Sequence, residues 1–209
     1  MLENFILYVD FDSTLYDTRL FADDLCRDIA SLADVTVEQV RTDSKRFFAD
    51  ATLGGYDYIG HIRSYGLDPE IMWDRLDTIV RSKDFLYADS PKFIQELRSK
   101  GYNPAILSFG ESRFQTTKIV PTLTRLTGSA DSKPLGFTVV FHKKGEHIAD
   151  LHRGQRGALV DDVPDQNLPK GFTEIHLDRK RNLAKPEKTP SGYVVSNLEQ
   201  ALRAILTLH

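Results

Sequence analysis

Two rhythms of apolar and polar positions alternate along this chain, and the changes between them mark its parts. Phe5 to Val9 is an unbroken apolar run of β-forming composition, too short for a typical helix. It reads as a strand buried on both faces. After Asp17 the period becomes helical for roughly seventy residues. Phe21, Leu25, Ile29 and Leu32 make a first apolar stripe. A second helix starts at Thr36, which with Gln39 resembles a capping box, carries Val37, Val40, Phe47 and Ala51, and is broken by Gly54-Gly55. Tyr56 to Tyr65 is a short third segment ending at Gly66. A fourth opens at Asp68-Pro69, a cap followed by proline at the first helical position, and buries Met72, Leu76, Ile79 and Val80.

Strand and helix then alternate. Ser90-Pro91 opens an amphipathic helix through Lys100, Gly101 closes it, and the next strand runs to Ser108. Further strands are expected at Phe137 to Phe141, Gly157 to Val160 and Phe172 to Leu177, with a short helix reaching Leu151 after the first of these, and a polar loop then leads to Val194-Val195. Ser196 and Glu199 resemble a second capping box, leading into a final helix from Leu198 to Leu206. The alternation predicts an α/β fold with a doubly wound, mostly parallel sheet. The helical run inserted after the first strand predicts a small all-α cap. The domains expected are a core over 1–16 and 88–209 and a cap over 17–87.

Composition narrows the function. Across 209 residues, 41% hydrophobic and 27% charged content describes a globular protein, and a formal net charge of -3 carries no nucleic-acid footprint. The basic run Arg179-Lys180-Arg181, with Lys185 and Lys188, reads as a solvated loop. A single cysteine, Cys26, excludes an internal disulfide and a cysteine metal cluster, and its place on an apolar helix face predicts a small core residue. No apolar run reaches membrane-spanning length and the first residues lack a signal-peptide pattern, so a cytoplasmic protein without membrane partners is expected. His142, His147 and His152 do not share the i, i+4 face of a helical metal site. The glycine-rich nucleotide motifs and the serine-hydrolase GxSxG are absent.

The candidate chemistry begins where the first strand ends, at Asp10 and Asp12. Open α/β sheets bind ligands beyond the carboxyl ends of their strands. There one carboxylate can take up a phosphoryl group while the other manages protons. Two close carboxylates repel unless a divalent cation or a lysine offsets them. A further acid and a lysine should therefore stand at other strand exits. Ser108, Lys143-Lys144 and Asp161-Asp162 occupy those exits. Taken singly, each group has a plainer reading: a strand exit and turn for Asp10 and Asp12, a helix cap for Ser108, a solvated strand end for Lys143-Lys144, and a turn before Pro164 for Asp161-Asp162.

Taken together and in order, Asp10-Phe-Asp12-Ser-Thr14, Ala-Ile-Leu-Ser108, Lys143 or Lys144, and Val-Asp161-Asp162-Val-Pro-Asp165 resemble the haloacid dehalogenase-like superfamily, with its Rossmann-like core. The resemblance implies Asp10 as nucleophile and Asp12 as general acid and base. It implies Ser108 as a hydrogen-bond donor to phosphate and a charge-neutralising lysine. Lys144 is favoured for that lysine because Lys-Gly-Glu opens a helix, with Lys143 as the alternative. Mg²⁺ is the implied cofactor, held by Asp10, the carbonyl of Asp12 and Asp162, with Asp161 as a further ligand or supporting partner. The Asp-Asp doublet departs from the family's Gly-Asp and leaves the direct ligand open.

In the family pattern, true dehalogenases lack the second aspartate, so Asp12 favours phosphate chemistry. The long interval between Asp10 and Ser108 resembles members whose helical cap admits small molecules. The expectation is a Mg²⁺-dependent phosphatase acting on a small phosphomonoester through an aspartyl phosphate. A phosphomutase and a noncatalytic phospholigand-binding protein are the alternatives. Gly54-Gly55-Tyr56 could form a loop reaching down into the site, and Arg41, Lys45, Arg46 and Arg63 could meet an anionic substrate, but the plainer reading is turn or helix-surface residues and they are not placed in the site.

Overall fold

A computed structural model describes residues 5–48, 55–128, 134–164 and 166–208. Ala51, Gly54 and Asp165, each given a place in the sequence reading, lie outside the described residues. Seven strands form one sheet in the order β3-β2-β1-β4-β5-β7-β6. They are β1 (Phe5–Val9), β2 (Ala105–Phe109), β3 (Gly136–Val140), β4 (Arg156–Asp161), β5 (Phe172–Leu177), β6 (Glu187–Lys188) and β7 (Gly192–Val195). Every pairing is parallel except that of β6 with β7. The chain moves outward from β1 through β2 to β3, then returns to the other side of β1 as β4. That reversal opens a crevice at the carboxyl ends of β1 and β4.

Four helices intervene between β1 and the rest of the sheet: α1 (Thr18–Ala33), α2 (Val37–Phe48), α3 (Tyr58–Ser64) and α4 (Pro69–Ser82). Their ends follow local chemistry. Asp17, Asp57 and Asp68 each accept from a backbone N–H of the first turn, and Pro69 opens α4. Thr36 caps α2 by accepting from the Gln39 N–H at 3.1 Å. Phe21, Leu25, Ile29, Met72, Leu76 and Val80 are buried as their spacing predicts, and so is Cys26; Leu32 is 41% exposed, at the edge of the stripe. After β1 and the cap come α5 (Ser90–Ser99), α6 (Ser112–Ile119), a 3-10 turn (Val120–Thr122) and α7 (Leu123–Thr127). The last helices are α8 (Lys144–Leu151) and α9 (Leu198–Ile205). No helix among the described residues is long and apolar enough to cross a membrane.

The sheet is covered unequally. Leu7, Val9, Ile106, Val160 and Ile175 face the large core shared with α5, α9 and the cap, while Tyr8, Leu107 and Leu159 pack with Ile148 of α8. The alternation along β1 thus splits between two cores, as expected of a strand buried on both faces. The chain leaves for the cap and returns from it side by side. Asp17 N donates to Phe85 O (2.7 Å), Tyr87 N to Leu15 O (3.0 Å) and the Ser90 hydroxyl to Leu15 O (2.8 Å).

Two local expectations are corrected. The cap of α9 is Asn197, which accepts from Gln200 N, while Ser196 bonds the Gln200 side chain and Glu199 pairs with Arg203. Nor is Arg179 a solvated residue. Its guanidinium forks onto Asp89 (3.0 and 3.1 Å), donates to the Thr14 carbonyl (2.8 Å) and stacks over Tyr87 at 3.9 Å. Charge-assisted, partly buried bonds of this kind outweigh the basic-run pattern that suggested solvent. Arg179→Ala is expected to lower the unfolding free energy by about 2 kcal/mol in urea titrations. Lys180→Ala, on the exposed side of the same run, should shift it by less than about 0.5 kcal/mol.

Candidate active site

β1 stops at Val9, and the next seven residues coil tightly over the strand end. Phe11 O accepts from both Leu15 N (3.0 Å) and Tyr16 N (2.9 Å), and Ser13 N reaches back to Tyr16 O (2.8 Å). Ser13 takes a left-handed backbone at φ 59 to close the coil. This departure from strand geometry lets Asp10 and Asp12 serve one crevice. Asp10 N is anchored to Val160 O at 2.8 Å. The parallel register, with Val9 opposite Val160, sets Asp10 beside Asp161.

Lys144 links the two. Its ammonium donates to the Asp10 carboxylate and, at 2.7 Å, to Asp161 Oδ2, with all three side chains buried. Lys143, at the start of α8, is exposed. Gly145 permits the close fit: a Cβ there would lie 1.9 Å from the Gln166 carbonyl, so only glycine lets α8 abut the loop after β4. Asp161 spends its other oxygen on Val163 N (2.9 Å). Asp162 is half-buried, and its carboxylate meets its own backbone N–H but no ion-pair partner among the described residues. One carboxylate oxygen from each of Asp10, Asp161 and Asp162 lies within 4.8 Å of the others, a group able to hold a metal ion.

The electrostatics match a cation site. Three carboxylates against one ammonium leave two negative charges uncompensated. Burial, reinforced by Asp161 and Asp162 and only partly offset by Lys144, pushes the Asp10 carboxyl well above the usual carboxylate range. Burial and the neighbouring Asp161 push Asp162 up to about 6. Lys144 is raised: its two carboxylates outweigh the burial that would disfavour its charge. A hard divalent ion with oxygen ligands, of the kind Mg²⁺ exemplifies, fits this set.

Asp12 belongs to a second ion pair absent from the sequence reading. Lys118, on α6, sets its Nζ 2.6 and 2.8 Å from the two Asp12 oxygens. Thr18 donates to Asp12 Oδ1 at 2.8 Å. Lys118 is only 2% exposed and lies among the rings of Phe11, Tyr16, Phe21 and Phe114, 5.0–6.0 Å from their centroids. Burial alone would raise the Asp12 carboxyl. The Lys118 ammonium, with hydrogen bonds from Lys118, Thr18 and Gln115, outweighs it and holds the group below the usual range. The stretch between β2 and β3 gave no strong helical period, so α6 and its lysine went unread. The available signal was the charge demand: two aspartates at one strand exit need two cations.

Ser108 is fully buried near the end of β2, and its Oγ has no hydrogen-bond partner among the described residues. Beyond Asp12, away from Lys144, opens a cavity of about 330 Å³. Core residues Phe109, Glu111, Phe114 and Gln115 face cap residues Phe21, Leu25, Phe48, Gly55 and Tyr56 across it. Gly55, at φ 111, lets the cap loop close on Gly110, whose Cα would sit 3.1 Å from an added Cβ. Gly55 and Tyr56, which the sequence alone did not place in the site, line this cavity. Arg41 and Arg46 stay on the helix surface, paired with Asp23, Glu38 and Asp43.

Comparisons with known proteins agree with this architecture. No curated protein matches the chain. Among solved structures, a haloacid dehalogenase-like hydrolase from Burkholderia xenovorans LB400 superposes with a TM-score of 0.67 at 17% identity, covering 98% of each chain. A HAD phosphatase from Thermococcus onnurineus gives 0.60 at 14% identity over 95% of this chain and 96% of that one. The L-2-haloacid dehalogenase from Xanthobacter autotrophicus gives 0.61 at 17% identity over 98% and 99%. At such identities the likeness establishes the fold. The haloacid dehalogenase-like hydrolase family model matches residues 7–156, from β1 through Lys144 to the start of β4. With that match over most of its length and the parallel core and helical insertion already described, the chain belongs to the haloacid dehalogenase-like hydrolases.

Proposed function

We propose that the protein is a Mg²⁺-dependent phosphatase that hydrolyses a small phosphomonoester through a phosphorylated Asp10. The observation that carries the reading is the pairing of two aspartates, two residues apart, with two separate buried lysines. Asp10 with Lys144 faces the carboxylate cluster, and Asp12 with Lys118 faces the cavity. A dehalogenase has no use for the second pair, because a halide leaves without a proton.

In the first half-reaction an Asp10 oxygen attacks phosphorus, the bond to the leaving oxygen breaks, and that oxygen takes a proton from the Asp12–Lys118 pair. In the second, water attacks the phosphorus, its proton returns to the pair, and Asp10 is freed as phosphate departs. Lys144 holds Asp10 in line and offsets charge on the phosphoryl oxygens, and the unpartnered Ser108 hydroxyl donates to one of them. Asp10, the Asp12 carbonyl and Asp162 would hold Mg²⁺, with Asp161 fixed behind them by Lys144. Bound there, the ion would neutralise phosphoryl charge. The cap would span 17–87 and the core 1–16 and 88–209, a division supported by the paired linkers at Leu15–Asp17 and Phe85–Tyr87.

Three outcomes test this. Asp10→Asn should reduce turnover of 4-nitrophenyl phosphate by about 10⁴-fold and abolish the phosphoenzyme that rapid quench detects in the parent. Full activity in that variant, with deamidation excluded by mass spectrometry, would refute the nucleophile.

Lys118→Met removes the charge that depresses Asp12 and leaves burial to raise it. The ionised Asp12 that water attack requires is then lost at higher pH as the solution is acidified. The acid limb of the kcat profile should move up by about one pH unit or more.

Mg²⁺ must displace the proton that Asp162 binds with a pKa of about 6. Affinity measured by calorimetry should therefore weaken about tenfold between pH 7 and pH 5. In Asp162→Asn most of the affinity should be lost, together with the part of the pH dependence that Asp162 supplies, leaving the part that belongs to the raised Asp10 carboxyl.

A further inference from the structure

The cavity beyond Asp12 says what kind of alcohol the phosphate is attached to. It begins at the carboxylate assigned to the leaving oxygen and runs between core and cap, so whatever the phosphoryl group leaves behind occupies it. Its walls are chiefly carbon: Phe21, Leu25, Phe48, Tyr56, Phe109 and Phe114. Two of these rings are unusually open for their size, Phe48 at 61% and Phe109 at 42%, and Phe48 stacks on Tyr56 with centroids 4.8 Å apart.

The polar groups around it are committed elsewhere. Lys118 is the one cation among the described lining residues, and both of its contacts go to Asp12. Glu111 accepts from Arg113 N and Phe114 N, and its charge repels a second anionic group. Ser44 donates to Arg41 O, Thr18 to Asp12, and the Gln115 amide nitrogen to Phe109 O. Gln115 Oε1 is left as a single buried acceptor. A sugar or nucleoside would bring several hydroxyls into this space, where few uncommitted groups meet them, at a cost of about 1–3 kcal/mol for each left unpaired. A second phosphate or a carboxylate would find no free cation among the described lining residues.

We propose that the cavity is a leaving-group pocket for an uncharged aromatic alcohol, so that the substrate is the phosphomonoester of an aryl or arylalkyl alcohol. This rests on the phosphatase reading for its chemistry, but the pocket itself can be tested by binding. A volume of about 330 Å³ accepts a group of one or two rings.

The test compares two primary alkyl phosphates, 2-(1-naphthyl)ethyl phosphate and glucose 6-phosphate, whose leaving oxygens have similar intrinsic reactivity. Binding is measured by calorimetry to Asp10→Asn with Mg²⁺, and turnover by phosphate release from the parent enzyme. The naphthyl ester should bind at least about thirtyfold more tightly and show a correspondingly higher kcat/KM, with the difference mainly in KM. Ala22→Arg, on the half-buried cavity wall of α1, should erase that preference while circular dichroism remains that of the parent. Leu25→Ala, which enlarges the same wall without adding charge, should weaken naphthyl binding and leave glucose 6-phosphate unaffected. Equal or tighter binding of glucose 6-phosphate would overturn the pocket assignment, as would an undiminished naphthyl preference in Ala22→Arg. Tight naphthyl binding with no phosphate released from any ester would uphold the pocket and overturn the phosphatase reading instead.

Discussion

Like charges crowded at a strand end are the constraint on which this structure depends. β1 and β4 deliver Asp10, Asp12, Asp161 and Asp162 to one crevice, and burial there makes each unpaired carboxylate cost several kcal/mol. Two lysines from different helices make the arrangement tolerable. Lys144 comes from α8 on one side and Lys118 from α6 on the other. Neither can be withdrawn without stranding a carboxylate, so the docking of both helices is tied to the carboxylates they serve. The aromatic rings around Lys118 exclude water from its ammonium and strengthen its hold on Asp12.

The same constraint divides the site in two. On the Lys144 side the groups are charged and closely spaced, suited to a phosphoryl group and a divalent ion. On the Lys118 side the walls are rings and aliphatic chains. Asp12 stands at the boundary, where the bond between phosphorus and the leaving oxygen would lie. Phe21 of α1 touches both functions, packing against Phe114 at 6.0 Å and lying near the Lys118 ammonium. The cap is thus joined to the catalytic floor by packing at Phe21, by the paired linkers beside Leu15, and by Arg179 across Asp89 and Thr14.

Much of this was legible in the chain because the strongest signals are local. The apolar run before Asp10, the glycine after Lys100, the Asp68-Pro69 helix start and the Lys-Gly-Glu at α8 each act through neighbours in sequence. What escaped was set by tertiary contacts. Lys118 sits in a helix whose own pattern is nearly featureless, and only the rings and carboxylate brought to it from β1 and α1 give it meaning. Arg179 looked like part of a basic surface run until Asp89, more than eighty residues earlier in the chain, took its guanidinium. Gly55 and Tyr56 entered the cavity because the cap loop closes on Gly110, a contact no local period encodes.

The Asp161-Asp162 doublet shows how the two scales meet. From sequence the residues are interchangeable, but Asp161 is the last residue of β4 and Asp162 lies just beyond it. The strand fixes Asp161 beside Asp10, where one oxygen accepts from Lys144 and the other from Val163 N. Moving that carboxylate to a metal would leave a buried ammonium short of a partner, a penalty of about 3–5 kcal/mol for breaking such a pair. Asp162 has no ion-pair partner among the described residues, and its raised proton affinity, set by burial and the neighbouring Asp161, marks a charge that lacks compensation. Asp162 could therefore give its carboxylate to a divalent ion in place of this proton without dismantling the Lys144 contacts that hold Asp10. On the proposed reading, then, the doublet supplies one fixed carboxylate and one free one, and it is the free one that reaches the ion.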